Sequence, residues 1–90
     1  MSQEKFFNML NEMPRLGHLW DKEKEEMNVP LFEAELNVMS SGEVEIAKFF
    51  AAVWLGNNTK YGFDLVDAIG QVDPARGKII LNWVRDPFWP

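Results

Sequence analysis

Apolar positions follow a helical period along most of the chain. Phe6, Leu10 and Met13 stand at i, i+4 and i+7, with Phe7 and Met9 widening the stripe. That spacing predicts a short amphipathic helix, capped by Ser2 and ended by Pro14. Leu16, Leu19, Trp20 and Met27 then share a helical face across a charged stretch, so a second, surface helix is expected from about Leu16 to Met27. The run Asp21-Lys22-Glu23-Lys24-Glu25-Glu26 would be its solvated side, with opposite charges one turn apart.

Pro30 to Met39 carries two patterns at once. Phe32, Ala34, Leu36 and Val38 alternate with Glu33, Glu35 and Asn37 as a strand would, while Phe32, Leu36 and Met39 fit i, i+4 and i+7. Proline at a first helical position, glutamates in the first turns and the helix formers Ala, Leu and Glu favour helix over strand. The next signal is the clearest in the chain. Ser40-x-x-Glu43 has the form of a capping box, and it precedes Ile46, Phe49, Phe50, Val53 and Trp54, one buried helical face that Gly56 terminates. Ala47, Ala51 and Ala52 fill much of the remaining circumference, so this helix is expected to be touched on more than one side.

The C-terminal part reads as two shorter elements and a tail. Asp64 can cap a helix bearing Leu65, Val66 and Ile69 that Gly70 closes, and Asp73-Pro74 opens a helix running to about Arg85. Ile79, Ile80, Trp83 and Val84 supply the apolar stripe of that last helix. The β-branched run and Gly77 keep a strand from Lys78 to Val84 open as an alternative. Asp86-Pro87 ends the element, leaving Phe88-Trp89-Pro90. The expected fold is all-α: a compact bundle of four to six short helices around a central buried helix, Val44–Leu55. Residues 1–90 form a single domain, with 86–90 as a Pro/aromatic tail.

Composition sharpens this. A 90-residue chain buries a modest fraction of its surface, of the order of 60 to 65%, so it needs a dense core or a partner. Four Trp, seven Phe and five Met supply that density, and raise the question of whether all of it fits inside. The net charge of −5 disfavours general attraction to phosphate, which makes nucleic acid an unexpected partner. Acidity is concentrated in residues 1–45, where ten acidic and four basic side chains give −6, against four acidic and five basic, +1, in residues 46–90. With no cysteine there is no disulfide framework and no thiolate site. Nothing at the N-terminus reads as a signal peptide, and the longest apolar stretch, Phe49 to Leu55, is far short of the roughly 18 to 20 residues that span a bilayer. A cytoplasmic protein without a membrane partner is expected.

Candidate chemistry is sparse. The chain has no glycine-rich phosphate loop, no His-Glu-x-x-His and no Gly-x-Ser-x-Gly elbow, and His18, the single histidine, reads as a surface residue. Asp64, Asp67 and Asp73 could gather around a hard cation, but helix capping accounts for Asp64 and Asp73. No catalytic residue, cofactor or metal is therefore assigned, and the chain is not expected to be an enzyme. Asp64–Gly70 and Pro74–Arg85 have the spacing of a helix-turn-helix, with Arg76, Lys78, Asn82 and Arg85 on the second helix. The short first helix, Gly77 and the acidic balance make an αα-hairpin the simpler reading.

Gly42 to Asp73, through Ala47-Lys48-Phe49-Phe50-Ala51-Ala52-Val53-Trp54, Gly62-Phe63-Asp64-Leu65 and Val72-Asp73, resembles short uncharacterised helical proteins of bacterial integrative elements, plasmids and prophages. The resemblance covers about a third of the chain, and residues 1–29 lie outside it. It implies a helical fold and a mobile-element origin, with no activity to transfer.

The expected function is that of a non-catalytic interaction or regulatory accessory protein that binds another protein, as a monomer or homodimer. Aromatic and arginine side chains dominate interface hot spots, which makes Trp20, Arg85, Phe88 and Trp89 the candidate contacts. Phe88 and Trp89 can also fold back on the core. A second reading uses the acidic half: Glu23, Glu25, Glu26, Glu33 and Glu35 could stand in for phosphates and inhibit a nucleic-acid-binding host protein. A third is DNA binding through Pro74–Arg85. Salt separates these, because an apolar interface tolerates it and charge mimicry does not.

Overall fold

In the computed structural model of the chain, residues 2–90 are described, with side chains from residue 3 onward, so the side-chain cap expected from Ser2 lies outside what is described. The first helix, α1 (Ser2–Leu10), buries Phe6, Phe7, Met9 and Leu10. It does not reach Pro14. Its end tightens through Glu12 N–H to Met9 O and Met13 N–H to Leu10 O, at 3.1 and 2.9 Å. Met13 then leaves helical geometry at φ −128°, ψ 74°, as the residue before a proline tends to do.

The expected surface helix from Leu16 to Met27 does not form. Pro14–Leu19 is a 3-10 helix instead, whose period of three puts Leu16 and Leu19 on one fully buried side. Trp20 is already extended at φ −126°, ψ 139°. Two short antiparallel strands follow, β1 (Trp20–Asp21) and β2 (Glu26–Met27), with Trp20 opposite Met27. The charged run is thus the tip of a hairpin. Asp21 Oδ1 accepts the Lys24 N–H at 3.0 Å, and Glu25 takes a left-handed φ of 55° to reverse the chain. Trp20 and Met27 share a side in both readings, which is why a helical period could not tell them apart.

Pro30–Met39 resolves in favour of helix, but a short one, α2 (Val29–Leu36), capped by Asn28 Oδ1 on the Leu31 N–H. Asn37 and Val38 close it with i→i+3 bonds, and Phe32 is its fully buried residue. The central helix α3 (Ser41–Leu55) forms as the sequence predicts. Ser40 Oγ accepts the Glu43 N–H, Glu43 Oε1 accepts the Ser40 N–H, and Gly56 caps the far end at φ 76°. Phe50 packs on Phe6, while Phe49 packs on Phe63 and Trp83, so α3 is covered from both sides. Each fully buried aromatic or aliphatic side chain here contributes about 1.5–3 kcal/mol by area.

Helices α4 (Leu65–Gln71) and α5 (Pro74–Arg85) complete the fold, capped by Asp64 and Asp73 on the Asp67 and Arg76 N–H groups at 3.0 and 2.9 Å. α4 runs one residue past Gly70, and Lys78–Val84 is helical. The start of α3 lies close against the end of α4: a Cβ on Gly42 would stand 3.1 Å from the Gln71 carbonyl oxygen. The molecule is mostly α, with a two-stranded hairpin as its only sheet among the described residues.

Candidate partner-binding surface

Phe6, Phe7, Trp20, Phe32, Phe49 and Phe50 are buried, Trp54, Tyr61, Phe63, Trp83 and Phe88 are half-buried, and Trp89 is exposed. Phe6, Phe7, Trp20, Phe32, Phe50 and Trp54 form one cluster, and Phe49 joins it to a second made of Phe63, Trp83, Phe88 and Trp89. Trp20 therefore cannot serve as a surface contact. It is 5% exposed, between Phe6, Phe32 and Phe50, because the extended backbone after the 3-10 helix turns its ring inward.

The tail divides between core and surface. Phe88 is half-buried against the core, and its carbonyl oxygen accepts the Trp83 indole N–H at 2.9 Å. Trp89 stays 56% exposed, with its ring edge-on to Trp83 at 5.4 Å between centroids. Arg85 is exposed at the last turn of α5.

Trp89 has company that the sequence reading missed. Leu55, Leu65, Val66, Ile69, Leu81 and Val84 are all at least a third exposed, and outside this C-terminal set Val38 is the one other large apolar residue exposed to that degree among the described residues. Val84, part of the apolar stripe that the sequence predicts for α5, is 42% exposed. Ile79 and Ile80 are the buried part of that stripe, and Leu81 and Val84, three residues apart, fall on the outer side. The signal was present in the sequence. Apolar residues at 79, 80, 81, 83 and 84 cover more of the helix circumference than one packing face can bury, and in α4 only Ala68 is buried beneath Leu65, Val66 and Ile69.

Two grooves cross this face. One, of about 320 Å³, lies between the end of α3, Leu65 of α4, Val84 of α5 and Trp89, with Phe49 and Phe63 in its lining. The other, of about 500 Å³, runs between Ile69 and Val72 on one side and Gly77, Lys78, Leu81 and Arg85 on the other.

The acidic candidates separate into two groups. Glu23 and Glu25 stand at the hairpin tip and Glu26 begins β2, all exposed, and none makes an ion pair among the described residues. Glu33 and Glu35 of α2 are engaged internally. Glu33 accepts the Tyr61 hydroxyl at 2.9 Å, and Glu35 accepts Arg15 at 3.0 Å and meets His18 Nε2 at 3.2 Å. The Arg15 and His18 hydrogen bonds hold the Glu35 carboxyl below its ordinary pKa, while burial and the Glu33 carboxylate push Tyr61 up to about 12. A carboxylate committed in this way is not free to replace a phosphate.

The remaining polar candidates serve the fold. Asp64, Asp73 and Ser40 spend oxygen atoms on helix caps, and among the described residues no three His, Cys, Asp or Glu side chains converge as ligands for a metal ion. No described helix is long and apolar enough to cross a membrane. No family model, curated protein or solved structure matches the chain, and the resemblance along Gly42–Asp73 gains no support from them.

Proposed function

We propose that the chain is a non-catalytic interaction protein that binds another protein through the face formed by α4, α5 and Trp89. One observation carries the reading: α4, α5 and the tail leave Leu65, Val66, Ile69, Leu81, Val84 and Trp89 at least 42% exposed, and all of these but Val66 line one of two apolar-walled grooves. Large apolar residues concentrated at the surface around grooves are the kind of feature that marks interaction sites in soluble domains. The accessory role in a bacterial mobile element belongs to the same proposal and rests on the resemblance along Gly42–Asp73.

The test compares affinity capture by the wild-type chain with capture by Leu65→Ser/Val84→Ser, from a lysate of the cells that make the protein. Circular dichroism first establishes that the two melt alike. A prey held by wild type and released by the double variant is expected. Retention of every prey by the variant, or no specific prey at all, overturns the proposal.

A further inference from the structure

The groove between α4 and α5 differs from its neighbour in one respect. Its rim is cationic. Lys78, Leu81 and Arg85 stand at i, i+3 and i+7 of α5 and line the same groove, so the two cations flank an apolar centre along two helical turns, about 10 Å. Neither cation has an ion-pair partner among the described residues. Asp73, the one carboxylate on the rim, is already committed: it caps the Arg76 N–H at 2.9 Å and faces the Arg76 guanidinium at 3.8 Å. On a chain with a net charge of −5, this groove presents unneutralised positive charge beside exposed hydrocarbon, Leu81 at 53% and Ile69 at 42%. Gly77 opens its floor, where the absence of a side chain leaves Val72 accessible.

We propose that this groove docks an amphipathic helix of a partner protein whose apolar stripe is flanked by Asp or Glu. The inference deepens the interaction reading above and rests on it. An apolar stripe at i, i+3, i+4 and i+7 can cover Ile69, Val72 and Leu81, and carboxylates bordering the stripe then meet Lys78 and Arg85. The complementary charges set orientation and reject basic partners, while the buried apolar area supplies the affinity. A nucleic-acid backbone would satisfy the same two cations. It would also press Leu81 and Ile69 against a polar surface with no apolar gain, so the hydrocarbon between the charges selects a protein helix over a phosphate strand.

The experiment is a selection on the 90-residue chain from a displayed library of amphipathic helices. The library fixes leucines at i, i+3, i+4 and i+7 and varies the flanking positions among Glu, Gln and Lys. Enrichment of Glu at the flanks is expected. The selected peptide should bind Lys78→Glu/Arg85→Glu about tenfold more weakly, and its Glu-to-Lys counterpart should recover binding on that variant. Lys at the flanks, no flank preference, or binding indifferent to Lys78→Glu/Arg85→Glu overturns the inference. So does a short DNA duplex that binds more tightly than the peptide and is lost in the same variant. Peptides sensitive to Leu65→Ser/Val84→Ser alone would place docking in the other groove, sparing the interaction reading and sinking this one; absence of any enriched peptide counts against both.

Discussion

The Trp83 indole N–H donates to the Phe88 carbonyl oxygen at 2.9 Å, and this bond decides how the tail behaves. It anchors the backbone on α5 at Phe88, so Phe88 turns inward and Trp89 is left at the surface. Trp83→Phe removes the donor and should cost about 1 kcal/mol. Phe88→Ala should cost about 1–2 kcal/mol through lost packing, and Trp89→Ala about 1 kcal/mol or less, from its edge-on contact with Trp83. Urea unfolding of the three variants ranks them. A Trp89 loss larger than the Phe88 loss would reverse the assignment of core and surface along the tail.

Ala51 tests the packing of α3 directly. Its side chain is fully buried, whereas Ala52, one residue on, is half-buried at the wall of the first groove. Ala51→Asp would bury a carboxylate with no partner, at a cost of about 4 kcal/mol or more, which a small domain does not survive. Ala52→Asp can turn its charge toward solvent and should remain folded. Circular dichroism melts of both variants check the contrast, and similar melting temperatures would show that α3 is not enclosed at Ala51.

The contrast between α3 and the hairpin explains what could be read from sequence. Ser40, Glu43 and Gly56 act within one turn of their own positions, so their roles are local and visible in the order of residues. Asp64 and Asp73 are local in the same way, whereas the Asn28 cap went unread because Pro30, its second helical residue, looked like the first. The reversal at Glu25 was not local. It depends on Trp20 finding Phe6, Phe32 and Phe50, contacts that lie far apart in sequence and outweigh the helical preference of a Lys- and Glu-rich run. The exposed face was half legible. Arg85 and Trp89 stood out by residue type, but Leu65, Ile69, Leu81 and Val84 look identical to core residues until the neighbouring helices are placed.

Tyr61 gives the fold an alkaline limit. Its hydroxyl donates to Glu33 on α2, and its ring lies 4.9 Å from that of Phe32, so the loop before α4 is tied to α2 through the neutral phenol. The folded-state pKa of about 12 exceeds the ordinary 10.0, so the contribution is fully present below pH 10. It is lost as pH rises from there through about 12. Tyr61→Phe removes the titrating group, and its stability should fall less steeply over that interval than wild type in denaturant titrations. Parallel curves would mean that the Tyr61–Glu33 bond does not couple to folding.

Arg15 sets the acid limit together with the α3 cap. From the 3-10 helix its guanidinium reaches Glu35 on α2 at 3.0 Å and Glu43 on α3 at 3.5 Å, bridging two helices with one side chain. The Glu35 carboxyl is held below 4.5 first by the Arg15 hydrogen bond and then by His18, and Glu43 first by the Ser40 backbone N–H and then by the Ser40 hydroxyl. Both folded pKa values are lowered, so their stabilisation is complete above pH 4.5 and disappears as pH falls below it. Glu35→Gln and Glu43→Gln should each flatten that acid limb. Salt then separates the two causes. The exposed Arg15 pairing is screened, so added salt should shrink the Glu35→Gln effect, while the Glu43→Gln effect, resting on a short-range hydrogen bond within the cap, should persist. Equal salt sensitivity in the two variants would instead assign the Glu43 shift to Arg15 and remove the capping box from the acid response.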